Sequence, residues 1–256
     1  MATPTQLRDA EAWLAQYEQA TRVLDARTVA AIRAAYDDIE DWFDPTVTLA
    51  AATAAVGTAR AAQQMHAGLA ADFIAMFVEI FTGRRPTIPR RQVEYPRNAN
   101  PFDVYSRPIY EYRDAFRREV SAQAAETFAE ARAEVISLTD ALLARREASQ
   151  AALEAAGATH YRRVIRPELS ESGTCGLCIA ASTRVYKVKA LLPIHSRCKC
   201  EVVPILGADD PGERYNLADV RALYEATPGT TKRDLVKTRY RVADDSEIGP
   251  VLVPAA

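Results

Sequence analysis

Histidine and cysteine are scarce in this chain. Its 256 residues hold three histidines, His66, His160 and His195, and four cysteines, Cys175, Cys178, Cys198 and Cys200. Neither a Gly-x-Ser-x-Gly elbow nor a His-Glu-x-x-His helix occurs, which removes the commonest hydrolase and metalloprotease signatures. No stretch approaches the ~20 continuous apolar residues of a membrane span. The opening residues MATPTQLRDAEAW also lack the basic start and apolar run of a secretory signal. The expectation is a chain made and kept in a cytoplasm, without a membrane partner. Nor does one sign of charge dominate, because the formal net charge is -2.

What is abundant is alanine, which loses no side-chain entropy on helix formation, so the first 157 residues read as long helices. Thr5 is placed to cap a helix running towards Asp41. Asp44 and Pro45 form a break and a new start, with the acid at the cap and proline in the first turn. The second helix runs to about Thr82 and stops at Gly83, so residues 1–82 form a helical hairpin. Within it Met65, Leu69, Phe73, Met76 and Ile80 recur at spacings of three and four, the mark of a packing face. His66 flanks that face, where a buried, hydrogen-bonded histidine is the expectation rather than a catalyst.

Residues 83–108 carry prolines 86, 89, 96, 101 and 108 and six arginines. Prolines at that density predict an extended, exposed arm. Arg84, Arg85, Arg90 and Arg91 there are candidates for contact with an acidic partner or nucleic acid, although no nucleic-acid motif accompanies them. A third stripe, from Ile109 through Phe116, Phe128 and Val135 to Leu142, predicts one helix over 109–157, roughly 70 Å long at ~1.5 Å per residue. Gly157 is its stop.

Beyond Gly157 the elements shorten. YRRVIRP, RVYKV and CEVVPIL read as strands, IAAS as a turn of helix, and Asn216–Ala226 and Thr231–Arg239 as two short helices. The residues from Asp244 to 256 read as a flexible tail. Charge is uneven here: residues 1–82 hold eleven acids against five arginines, whereas 160–206 hold eight basic residues against three acids. Arg162, Arg163, Lys187 and Lys189 extend the set of candidate contacts.

All four cysteines fall in this region, as Cys-x2-Cys followed after sixteen residues by His-x2-Cys-x-Cys. That spacing suits a zinc ion held at about 2.3 Å by thiolates. Cys175, Cys178, Cys198 and Cys200 form an all-cysteine set, or His195 replaces one of the last pair; both sets remain open. A pair of disulfides fits less well, because Cys198 and Cys200 are too close to bridge comfortably and an oxidising compartment would be required. The fold class expected is mainly α, with a small α+β C-terminal module over 158–243. These strands are too few to bury a core alone, so one structural zinc per chain is expected to staple them into a zinc-knuckle-like domain.

The segment RRVIRPELSESGTCGLCIAASTRVYKVKALLPIHSRCKCEVVPIL resembles the C-terminal module of the phage Mu F-like family, the minor head proteins of tailed bacteriophages. The residues that carry the likeness are Pro193-Ile194-His195-Ser196-Arg197-Cys198-Lys199-Cys200 and the upstream Cys175-Gly176-Leu177-Cys178. It covers about residues 160–206, a minority of the chain. The resemblance implies a low-copy head protein in the virion, at the portal vertex or head interior, assembled in the host cytoplasm. Its implied partners are the portal protein, the major capsid or scaffold protein, and packaged DNA. Proteins similar to this one are also labelled capsid maturation proteases, the alternative reading. A serine–histidine pair would then have to use His66 or His160.

Overall fold

A computed structural model describes residues 2–89, 94–165, 176–190, 200–207, 209–226 and 240–254. Cys175, His195, Cys198, Arg90, Arg91 and the helix expected over Thr231–Arg239 lie outside those residues. The chain is mainly helical, with a small three-stranded antiparallel sheet.

Helix α1 spans Pro4–Asp37. Its cap is Thr3, not Thr5: the Thr3 hydroxyl accepts from the Gln6 N–H, and the Gln6 side chain returns a bond to the Thr3 N–H. It ends before Asp41 because Ile39 and Trp42 turn into the core. Helix α2, Pro45–Thr82, starts and stops as expected, with Asp44 accepting from the Thr46 N–H and Gly83 left-handed at φ 70°. By length and composition α2 could also cross a bilayer, with mean hydropathy 1.4 over its most apolar stretch. Here it packs against α1 and against α5, Ala122–Ala155, as the middle of a three-helix bundle.

The arm is irregular and largely exposed over residues 83–89 as expected, but its second part and the unbroken third helix are corrected. Within 83–108, Asn100 caps a short α3, Pro101–Tyr105, whose Val104 and Tyr105 are completely buried. Pro101 and Pro108 sit in the first turns of α3 and α4 (Arg107–Arg117), where the missing N–H costs nothing. Residues 118–121 then break the third helix. Glu119 is left-handed at φ 62°, and the Val120 N–H bonds back to the Ala115 carbonyl. As a result α4 doubles back along α5, where Glu111 meets Arg132 at 2.8 Å.

Two cores fill the bundle. One joins Ile32, Tyr36 and Trp42 of the α1 end to Ala52, Ala55 and Ala59, Ile109 and Tyr112, and Ala125, Ala129, Ala133 and Ile136. The other joins Leu14, Tyr17, Phe73, Phe77 and Leu153 to the sheet residues Tyr161, Val164, Val202 and Val203. That sheet has the order β2-β1-β3, from β1 (His160–Val164), β2 (Val185–Lys187) and β3 (Glu201–Ile205). Helices α6 (Gly176–Ser182) and α7 (Pro211–Ala226) pack on it. The sheet therefore shares its core with the end of the bundle. The expected tail also contains structure: β4 (Tyr240–Asp245) and β5 (Gly249–Pro254) pair as a hairpin whose turn docks by Glu247 onto Arg97 and Arg107.

The packing face of α2 is rotated from the stripe of large residues. Met65 is 54% exposed, whereas Ala52, Ala55, Ala59, Ala62 and His66 face inward. Small residues let α2 and α5 approach closely, so adding volume there should cost more than removing it from the stripe. Ala55→Leu is expected to lower unfolding free energy by about 1–3 kcal/mol. Met65→Ala should stay within about 0.5 kcal/mol of wild type. Urea denaturation measures both. In the same assay Glu119→Gly should stabilise by on the order of 1 kcal/mol, by relieving a left-handed residue that carries a Cβ.

Candidate functional site

Between the two apolar cores lies a polar layer. Asp25 and Thr28 come from α1, Gln63 and His66 from α2, and Asp140 and Arg145 from α5, all buried. Arg145 Nη1 donates to Asp25 Oδ1 at 2.7 Å and to His66 Nδ1 at 3.0 Å. A guanidinium can only donate, so the His66 proton is on Nε2, 3.2 Å from the Thr28 hydroxyl. Burial, with the Arg145 charge added, holds the His66 imidazolium down to about 3, against the pull of Asp25. A second set lies one turn away. There Arg97 pairs with Asp140, which also accepts from Tyr105 at 2.9 Å and from Gln63 at 3.2 Å.

His66 is fully buried, and its ring nitrogens face a threonine and an arginine. His160 on β1 has Thr159 Oγ1 2.9 Å from its Nδ1, with no serine among its described hydrogen-bond partners. A groove of about 640 Å³ beside Asp25 is lined by Arg33, Asp37, Glu130 and Glu134, together with alanine, valine and leucine.

The cysteine corner is the other candidate. Cys178 on α6 and Cys200, just before β3, are buried thiols in one cluster with Ile165 and Ala181, against Leu142 of α5, Tyr186 of β2 and Val220 of α7. Residues 22 positions apart in sequence thus belong to one buried cluster. The donors present fit a thiophilic ion such as zinc. Among the described residues no third ligand joins them, since Cys175, His195 and Cys198 lie outside. Beside Cys200, Glu201 hydrogen-bonds Tyr17 of α1 and lies within electrostatic reach of Arg145, so the corner is wired to the polar layer.

Of the candidate contacts, Arg84 and Arg85 are exposed, Arg85 beside Glu79 at 3.4 Å, and Lys187 and Lys189 are exposed on and after β2. Arg162 and Arg163 are corrected. Arg162 is buried against Asp210 at 2.7 Å and the Ser182 carbonyl, and Arg163 lies over the Tyr161 and Tyr186 rings. Neither reaches a surface where DNA could lie. The buried, hydrogen-bonded His66 is as expected from the sequence, whereas its partners Asp25, Asp140 and Arg145 were not singled out there.

In comparison with known proteins, the chain matches no family model, no curated protein and no solved structure.

The titration of His66 gives a direct check. Its folded pKa lies below the unfolded value near 6.5, so its contribution is complete above that pH and is lost as pH falls towards 3. Between pH 6.5 and 5, unfolding free energy should fall with a slope approaching 1.4 kcal/mol per pH unit from this group. His66→Gln should remove that slope. Parallel wild-type and variant curves would contradict the assignment.

Proposed function

We propose that this protein is a structural minor head protein of the phage Mu F-like type, associated with the portal, in which a thiolate zinc centre shapes the sheet end of a helical bundle. The observation that carries the reading is the meeting of Cys178 and Cys200 in one buried corner, within the segment whose motif resembles that family. Support comes also from the architecture. Helices α1 and α2, 34 and 38 residues long, make an elongated bundle suited to docking along a larger assembly. Exposed Arg84, Arg85, Lys187 and Lys189 are the residues offered to an acidic portal surface or packaged DNA.

In this reading the chain's own residues perform no reaction. Cys178 and Cys200, with two of Cys175, His195 and Cys198, would hold the ion, and zinc supplies a closed, redox-inert crosslink. Ile165, Ala181 and Leu142 keep water from the thiols, and Tyr186 closes the side towards β1. The bundle core already supports the strands, so the ion's effect is local. It fixes how the two cysteine segments meet.

The test is co-expression with the portal and major capsid proteins of the same phage. The purified chain should carry about one zinc, and Cys178→Ser or Cys200→Ser should abolish it while leaving helical circular dichroism within about a tenth of wild type. The portal protein should co-purify, and capsid protein should stay intact. Capsid cleavage that disappears with His160→Ala, or a purified chain that binds neither zinc nor cobalt, would overturn the reading.

A further inference from the structure

We propose that the open seam between α1 and α5 is a docking groove for a basic amphipathic helix of a partner protein. The inference uses residues outside the cysteine corner and does not depend on the metal reading. In the bundle α2 packs on both of its neighbours and turns its small side chains inward. Across the third seam α1 and α5 run antiparallel, tied by the ion pairs Arg145 with Asp25 and Arg33 with Glu134, both at 2.7 Å. Around the second of these ties the seam opens into the groove of about 640 Å³. A smaller recess of about 160 Å³ adjoins it and shares Arg33, Asp37 and Glu130. The floor of the groove is apolar, with Ala26, Val29 and Ala30 from α1 and Leu138 from α5. Ala26 and Ala30 are exposed, and side chains this small let another backbone come close. The dimensions suit a helix. From Ala26 to Asp37 on α1, and from Glu126 to Leu138 on α5, the lined stretch is roughly 17–18 Å at ~1.5 Å per residue, room for about three turns.

Charge selects the occupant. Asp25, at the inner end, is already answered by Arg145. Four further carboxylates, Asp37, Glu126, Glu130 and Glu134, rim the groove and its recess, against one lining cation, Arg33. The three glutamates recur every fourth residue of α5 and so stand in one row along its surface. Like charges at that spacing work against a helix. Arg33 relieves the row at Glu134 and, more distantly, at Glu130, 3.7 Å away. A partner helix lying along α5 with Lys or Arg at every fourth position would meet the row in register, at steps of ~6 Å. Its apolar face would settle on the alanine and leucine floor, the arrangement of a helix in a groove. In this division the floor supplies apolar burial, whereas the rim sets which helices bind and how fast they arrive. The same row repels phosphates and acidic segments.

Fluorescence anisotropy of the full chain with three labelled amphipathic helices of about 14 residues tests the proposal. The peptides share one alanine and leucine face, and their flanking positions at spacing four hold Arg, Gln or Glu. The Arg peptide should bind about 10-fold or more tightly than the Gln peptide at low salt, with the difference shrinking as salt rises, and the Glu peptide should bind most weakly. E126Q/E130Q should remove the Arg preference and leave the affinity for the Gln peptide unchanged. A30W, which fills the floor, should weaken the Arg and Gln peptides alike, by about 10-fold. All three substituted positions are exposed, and circular dichroism of each variant checks its helical content. Should A30W disturb the bundle, E126Q/E130Q decides. Failure of the Arg peptide to bind, equal affinity for the Arg and Gln peptides, or an Arg preference that persists in E126Q/E130Q would overturn the proposal. So would displacement of the Arg peptide by equimolar spermine, which would reduce the groove to a site for small cations.

Discussion

Arg145 holds the middle of this molecule. It is a buried cation on α5 that reaches α1 through Asp25, α2 through His66 and, electrostatically, β3 through Glu201. Above and below it the helices meet mainly through alanines, which are nearly interchangeable and would tolerate a slide of one turn. A slide of four residues would put Ala141 or Ser149 where Arg145 stands and leave Asp25 buried without a cation. Breaking such a pair costs about 3–5 kcal/mol, far more than shifting an alanine contact. The polar layer thus selects one register for a bundle whose apolar contacts alone would not.

The second constraint follows from the first. Once register is set, the lower ends of α1, α2 and α5 present Leu14, Tyr17, Phe73, Phe77 and Leu153 together, and the three-stranded sheet covers them with Tyr161, Val164, Val202 and Val203. A sheet this small could not bury a core alone. Here it needs none of its own. The cysteine corner adjoins that core through Tyr186, which packs on both, and clusters Cys178 and Cys200 against Leu142 of α5. The metal centre proposed there refines an assembled surface and does not create the fold.

Much of the fold was legible where local chemistry leaves little choice. Asp44-Pro45 starts a helix because an acid cap and a fixed φ both favour it, and Gly83 stops one because it adopts φ 70° without cost. Packing faces were less legible. Met65 and Phe128 dominate any hydrophobicity count, yet both are about half exposed, while Ala55 and Ala129 bury the seam. Alanine serves equally as helix former and core filler, so a pattern of apolar residues cannot distinguish the two. The break at 118–121 was hidden because Glu119 occupies a conformation for which glycine is the usual signal. The arginines misled most. Arg162 and Arg163 read as surface contacts but are buried against Asp210 and against the Tyr161 and Tyr186 rings. Of the candidate site, the cysteine motif was legible in the sequence, and the burial of Cys178 and Cys200 in one apolar cluster was not.

The central claim is that bundle and sheet form one cooperative unit even without metal. Native-state hydrogen exchange of the chelator-treated chain under increasing urea measures this directly. The account predicts that the amides of Tyr161 to Val164 and of Val202 and Val203 open within about 1 kcal/mol of those of the facing turns of α1 and α2. Sheet amides that exchange freely while the helices stay protected, and become protected only when zinc is restored, would contradict it.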